Sequence, residues 1–245
     1  MSAKELIRRF VAVHKCGGCG EILDFECSDG AFCSSCQLSW NAAITVGCKN
    51  CFKPALECEC MPKVLSRAGA LCLRRLFFYS SEDARSPEMS IIYWLKYKKS
   101  GRMADFVARE LQGTVKAELD VLGVHFSDVL VCAVPRSKRA LIKYGFDQSE
   151  MVAKRLSTRL GLQFSGAIAS RRIGKTQKEL GKRERLANAR ARIKLSRGAD
   201  VSGKYVILFD DMVTTGASMA ACCELLRQNG AKGVLCFSLA STEKL

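Results

Sequence analysis

The stretch Tyr205–Arg227, YVILFDDMVTTGASMAACCELLR, places chemistry directly after an apolar run. Two adjacent carboxylates, Asp210 and Asp211, end the run. Val213, Thr214, Thr215, Gly216, Ala217 and Ser218 follow as a small, hydroxyl-bearing loop that opens a helix. Carboxylates at a strand end can accept hydrogen bonds from ribose hydroxyls. Loop amides and Thr or Ser hydroxyls at the positive end of a helix can hold a phosphate, and a glycine at 216 permits close approach of the backbone. Each part suits a sugar phosphate. An ordinary helix N-cap draws on the same residue types, but it does not need paired acids, three hydroxyls and a glycine together.

Cysteines form the second constellation. Of fourteen in the chain, nine (Cys16, Cys19, Cys27, Cys33, Cys36, Cys48, Cys51, Cys58, Cys60) fall in the first sixty residues. Eight of them make four close pairs, three C-x2-C and a closing C-x-C, with Gly17, Gly18, Gly20 and Gly47 beside them. A reducing compartment favours metal ligation over disulfides, and two such pairs complete a tetrahedral zinc thiolate site. Cys16, Cys19, Cys33 and Cys36 are therefore assigned to one zinc, and Cys48, Cys51, Cys58 and Cys60 to a second. The glycines are expected at positive φ, bringing amides near the sulfurs. A four-thiolate site has no open position, so its role is structural, in a segment with little core of its own. Iron–sulfur ligation is the rival, although its cysteine runs are denser. Cys27 is left as a small buried hydrophobe or an alternative ligand, and Cys72, Cys132, Cys222, Cys223 and Cys236 read as core thiols.

Charge divides the chain elsewhere. The formal net charge is +15. Residues 1–60 are nearly neutral, whereas Arg171 to Gly198 hold eleven Lys or Arg against Glu179 and Glu184. Such a stretch attracts nucleic acid, but also nucleotides and sugar phosphates; its plainer reading is a solvated helix with i,i+4 pairs.

The elements that must position these residues follow from periodicity. At 245 residues, 48% hydrophobic and 26% charged, the chain fits a main domain plus a small module and excludes a disordered polymer. No apolar run nears the ~20 residues of a membrane span, and MSAKELIRRFVAVHK lacks the features of a secretory signal, so a cytoplasmic protein is expected. Asp128–Val134, Tyr205–Phe209 and Gly233–Leu239 read as buried strands. Helical spacing runs over Gln148–Leu160 and Ser218–Asn229, and over Ser90–Gln112 as two helices joined at Ser100-Gly101. The expectation is an α/β fold with a mainly parallel sheet and a ligand at the carboxyl ends of its strands. A cysteine module, 1–62, precedes a domain over 63–245. Within that domain 63–127 is expected to be helical, 128–245 to be the sheet core, and 171–198 to be a basic, flexible loop.

The acidic pair and its loop resemble the signature of type I phosphoribosyltransferases, which bind phosphoribosyl diphosphate. More of the chain is similar to one branch, the ComF family linked to competence and DNA uptake. Val134-Pro135 through Tyr144-Gly145-Phe146-Asp147-Gln148 is similar to the family's R-G-F-N-Q element. Thr176-Gln177 with Leu180, Arg185 and Asn188 matches its T-Q-x2-L-x4-R-x2-N pattern, and the Leu95-Lys96-Tyr97 helix and a leading double zinc ribbon also fit. The departures are Tyr144 for Arg, Asp147 for Asn and Ser218 for Thr. Thr214 also stands where purine-salvage relatives place an Asp that accepts a proton from the base.

The resemblance implies a type I phosphoribosyltransferase fold behind a double zinc ribbon. Phosphoribosyl diphosphate would be held with magnesium by Asp210 and Asp211 at the ribose, by residues 213–218 at the 5′-phosphate, and by the loop carrying Pro135 and Arg136. Lys175, Lys178, Lys182, Arg183 and Arg185 lie where superfamily members carry a mobile loop. Arg185 and Lys175 are the first candidates, beside the two aspartates, for catalytic groups that stabilise a departing diphosphate. The alternative is a non-catalytic protein on the same fold that binds single-stranded DNA or senses nucleotides. Its basic face and Trp40, Phe52, Tyr79, Tyr93, Trp94, Tyr97 and Tyr144 would be candidates for base stacking.

Overall fold

The computed structural model describes residues 14–23, 30–79, 86–171 and 182–242, without the side chains of 182–184. In chain order, α1 is Ser34–Thr45, α2 Lys63–Arg67, β1 Ala70–Tyr79, α3 Pro87–Lys98 and α4 Gly101–Val121. They are followed by β2 Val129–Ala133, α5 Lys138–Tyr144, α6 Gln148–Leu160, β3 Gln163–Phe164 and β4 Ile168–Ser170. The chain continues through α7 Lys182–Arg192, β5 Ile193–Leu195, β6 Tyr205–Val213, α8 Ala217–Gln228 and β7 Gly233–Thr242.

Five strands form a parallel sheet in the order β1-β7-β6-β2-β3. β4 and β5 pair separately and antiparallel. The sheet is apolar along its length because both faces are covered. Ile207, Phe209, Leu235 and Phe237 belong to the core shared with α4 and α6, whereas Val206, Leu208, Val234 and Cys236 belong to the core shared with α8. Helix α4 turns Met103, Phe106, Val107, Leu111, Val115 and Leu119 inward at helical spacing. It begins where Lys99 takes a left-handed conformation and the Ser100 hydroxyl accepts from the Met103 amide. Helix α6 spans the expected residues, capped by Asp147 at its start and Gly161 at its end. The five later cysteines are buried, and burial pushes Cys72 and Cys132 up to about 12.

Two expectations need correction. Residues 63–127 are not wholly helical, because β1, with Arg74 and Arg75 inside an apolar run, pairs with β7 at the sheet edge. The stretch expected as a loop over 171–198 contains α7 and β5; α7 lies against α8, where Arg190 makes two 2.6 Å bonds to Glu224. The cysteine segment, with little core of its own, shares that of the domain. Trp40 is fully buried among the rings of Phe32, Phe77 and Phe106, with centroids 5.1 to 5.9 Å away, and its Nε1 donates to Glu110 at 3.2 Å. Truncating a residue so placed costs about 3–5 kcal/mol. Among the described residues no helix is long and apolar enough to cross a membrane.

Candidate functional site

Strand β6 delivers the acidic pair to the carboxyl end of the sheet, and the chain then turns into α8. Gly216 makes the turn at φ +74°, and a Cβ there would meet Val64 and Leu65 of α2 at 3.2 and 3.3 Å. Only glycine satisfies both the angle and the space. Thr242 at the end of β7 donates to the Thr214 carbonyl at 3.2 Å and steadies the loop. Beside it opens a cavity of about 400 Å³, lined by Thr214, Thr215, Ala217 and Ser218, by Pro135 and Ser137, by Ser170, and by Arg185, Asn188 and Arg192 of α7. Hydroxyls, a helix N-terminus and two guanidinium-bearing residues thus face one space, the donor set of an anion site. Val213 and Gly216 are buried in the backbone behind it.

The acidic pair and Arg136 stand outside that cavity, in an adjoining polar network. Asp211 is buried; its Oδ2 accepts from Gln148 Nε2 at 3.0 Å and lies 3.5 Å from Lys96 Nζ. Asp210 is half-buried, and its Oδ1 accepts from the Ser149 hydroxyl at 3.1 Å and from the Asp211 amide at 2.9 Å. Burial, and then the neighbouring Asp211, hold the Asp210 carboxyl well above the usual carboxylate range. Arg136 gives its amide to Asp147 at 2.6 Å and its guanidinium to the carbonyls of Phe146 and Lys96. Asp147 also caps α6 through the amides of Ser149 and Glu150. Lys96, Gln148 and Ser149 were not assigned roles from the sequence; the glutamine directly after the Asp147 cap was the available signal. Lys175, Thr176, Gln177, Lys178 and Leu180 lie outside the described residues, as does Cys27, and nothing is described of the side chains of Lys182 and Arg183.

The eight cysteines gather as two tetrads, Cys16, Cys19, Cys33 and Cys36, and Cys48, Cys51, Cys58 and Cys60. Within each, all Sγ atoms lie within 4.8 Å of one another. Amides point at the sulfurs: Gly18 and Cys33 donate to Cys16 at 3.3 Å, and Asn50 to Cys48 at 3.4 Å. Burial alone would raise these two thiols, but the surrounding donors outweigh it and lower Cys16 to about 6 and Cys48 to about 7. The other members do not follow, since burial and the neighbouring thiols push Cys36 and Cys58 up; it is the clustering of four sulfurs that lets each tetrad hold a metal ion. The glycines act differently from expectation. Gly20 has φ +80°, whereas Gly17, Gly18 and Gly47 have ordinary φ and are required by space, a Cβ on Gly18 falling 2.6 Å from Cys36 Sγ.

Three of the candidate stacking aromatics meet on the surface. Tyr93 and Tyr97 of α3 and Tyr144 of α5 form a ladder with ring centroids 5.3 and 5.5 Å apart. Lys98 lies 5.8 Å from the Tyr93 ring, and Arg136 and Lys143 lie 4.4 and 5.0 Å from the Tyr144 ring. Tyr93 and Tyr97 are about half exposed. Trp40 is buried, and Trp94 spends its Nε1 on the Gly17 carbonyl at 3.0 Å.

The sequence is similar to known proteins. Residues 147–244 match the model of the phosphoribosyl transferase domain. The DNA utilization protein YhgH of Escherichia coli K12 is 31% identical over 161 residues, 65% of this chain and 70% of that one. The chain belongs to the ComF family. Within the family it is also similar to the competence protein ComFC of Streptococcus pneumoniae R6, 24% identical over 213 residues, 86% of this chain and 88% of the relative. A solved phosphoribosylpyrophosphate synthetase from Mycobacterium smegmatis is 22% identical with a TM-score of 0.33, over 55% of this chain and 33% of that one. This ComF-family chain thus spans about a third of the synthetase.

Proposed function

We propose that this ComF-family protein binds phosphoribosyl diphosphate at the carboxyl end of its sheet and serves DNA uptake or utilisation in the cytoplasm. The observation that carries the reading is the 400 Å³ cavity, in which the hydroxyl loop at the N-terminus of α8 faces Arg185 and Arg192. In this reading Thr214, Thr215, Ala217 and Ser218 hold the 5′-phosphate, and Asp210 and Asp211 accept the ribose hydroxyls. Arg185, with Lys175 from outside the described residues, balances the diphosphate. Val213, Gly216 and Pro135 shape the backbone, and Arg136 anchors the first loop to Asp147.

Two metals enter the proposal. The sulfur-only tetrads with amides aimed at them suit zinc, held by Cys16, Cys19, Cys33 and Cys36 and by Cys48, Cys51, Cys58 and Cys60 in a structural role. These are the two groupings of three or more metal-ligating side chains among the described residues. Magnesium therefore has no cage among them and would arrive on the diphosphate, with the acidic pair as its protein side; bound there, it would neutralise the departing charge. Transfer, where it occurs, forms a bond from the acceptor to the anomeric carbon and breaks the bond to diphosphate, which leaves with its electron pair. Thr214 cannot take the acceptor's proton at neutral pH, so the reading points to an acceptor that needs no base from this loop.

Calorimetry of the zinc-loaded protein with phosphoribosyl diphosphate and magnesium tests the reading, followed by assay of diphosphate release. Binding that weakens in the Asp210→Ala/Asp211→Ala variant supports it, and no binding at millimolar ligand overturns it. A second reading, single-stranded DNA binding without catalysis, is favoured by the tyrosine ladder and its cations. It predicts oligonucleotide affinity that falls steeply with salt and with Tyr97→Ala; salt-insensitive binding would rule it out.

A further inference from the structure

The least comfortable charge in the molecule is Arg75. It lies in the middle of β1, is wholly buried, and no carboxylate pairs with it among the described residues. Its neighbour Arg74 has the ordinary solution, a 2.6 Å pair with Glu118 of α4. Arg75 turns the other way. One Nη2 donates to the carbonyls of Cys60, at 2.5 Å, and Leu73, at 2.9 Å, and Nη1 points at Cys58 Sγ from 3.8 Å. The guanidinium carbon stands 5.5 Å from the Phe78 ring centre, and Nε has no partner. A buried cation with only carbonyls and a ring around it is costly unless an anion is close. The candidates for that anion are the thiolates of the second tetrad, of which Arg75 reaches the Cys58 sulfur directly and Cys60 through its backbone carbonyl.

We propose that Arg75 is the built-in counter-charge of the second cysteine centre. A divalent ion held by four thiolates carries a net charge of −2, and this charge is placed beside the edge strand β1. The buried guanidinium offsets part of it, and the metal centre makes an arginine tolerable inside an edge strand. Arg75 is thus a positioning residue for the centre rather than a ligand. The first tetrad is built differently. Arg102, which feels the charge of Cys16, binds the carbonyls of Gly30 and Lys15 rather than a sulfur, and it keeps partial solvent exposure. Metal at the second centre should therefore be coupled to the stability of the parallel sheet through Arg75, and metal at the first should not.

The test is a crossed comparison of the full chain and Arg75→Leu, each metal-loaded and after chelation, read by thermal unfolding and by the rate of zinc transfer to a colorimetric chelator. Metal-loaded Arg75→Leu is expected to unfold at a lower temperature than the parent and to release one of its two metals at least tenfold faster. After chelation the order is expected to reverse, because the parent then keeps a buried cation with no anion and the variant does not. A merely structural role would lower the variant in both states by the same amount, and that result overturns the proposal. Should Arg75→Leu fail to fold when loaded, Arg75→Lys decides. Retaining the charge, it should release zinc within a few-fold of the parent rate, and release as fast as from a Cys58→Ser variant would refute the counter-charge. Cadmium NMR of the substituted full chain adds a local readout, since only one of the two resonances should move in Arg75→Lys; two unmoved resonances would count against the proposal.

Discussion

Two subsites meet at the carboxyl end of the sheet, and they are prepared in opposite ways. The loop at the start of α8 faces an open cavity whose other wall brings Arg185 and Arg192. The acidic pair only a few residues earlier is closed by the protein's own donors, Lys96, Gln148 and Ser149. One side presents the exposed Thr214 and Ser218 to an arriving anion. The other must exchange internal hydrogen bonds for those of a ligand, so it gains specificity more than affinity. A phosphate should thus bind on its own, and the ribose hydroxyls should add discrimination afterwards.

Breaking the open subsite gives the largest effect. Gly216→Val places a β-branched side chain at φ +74° against Val64 and Leu65. Strain and overpacking together cost about 2–6 kcal/mol, expected as a large fall in the unfolding temperature and loss of ribose 5-phosphate binding in calorimetry. Arg185→Ala removes a charged donor from the cavity wall. Affinity for both inorganic phosphate and phosphoribosyl diphosphate should fall roughly 10- to 100-fold, the equivalent of one charge-assisted hydrogen bond. Asp211→Ala separates the subsites. It should weaken phosphoribosyl diphosphate by about tenfold while leaving inorganic phosphate unchanged, and equal losses for the two ligands would show that the subsites are not distinct.

How much of this was legible in the sequence depends on whether partners lay nearby in the chain. The two cysteine tetrads and the loop after β6 were readable because the spacing that makes them chemical is local. Strands β2, β6 and β7 were readable because burial on both faces leaves uninterrupted apolar runs. Strand β1 was not, since Arg74 and Arg75 break its run; their partners, Glu118 and the Cys58–Cys60 turn, are contributed by distant parts of the chain. Helix α7 was legible only as a solvated basic helix, without its place in the fold. Its composition is that of a solvated basic segment, and only packing against α8, through Arg190 and Glu224, gives it a place beside the cavity. The donors around the acidic pair converge from α3 and α6, and no spacing rule links Lys96 to Asp211.

The smallest expected effect sharpens the contrast between the two aspartates. Asp211 has a lysine and a side-chain amide as partners, whereas Asp210 has its carboxyl held well above the usual range by burial and then by Asp211. A raised carboxyl favours the fold when protonated. That contribution is fully present below the ordinary carboxylate value of 3.8 and is lost as pH rises through the folded-state value. Asp210 therefore works against stability at neutral pH, in a place where a ligand would use it. Asp210→Asn keeps the shape and the acceptor for Ser149 while removing the charge. It should raise the unfolding temperature at pH 7 by roughly 2–4 °C, as expected for ~1 kcal/mol in a chain of this size. The advantage should shrink as pH falls and vanish below about pH 4, where the parent is protonated as well. A gain that persists unchanged into acid would show that the asparagine acts through packing, and that the two carboxylates are equally settled in the fold.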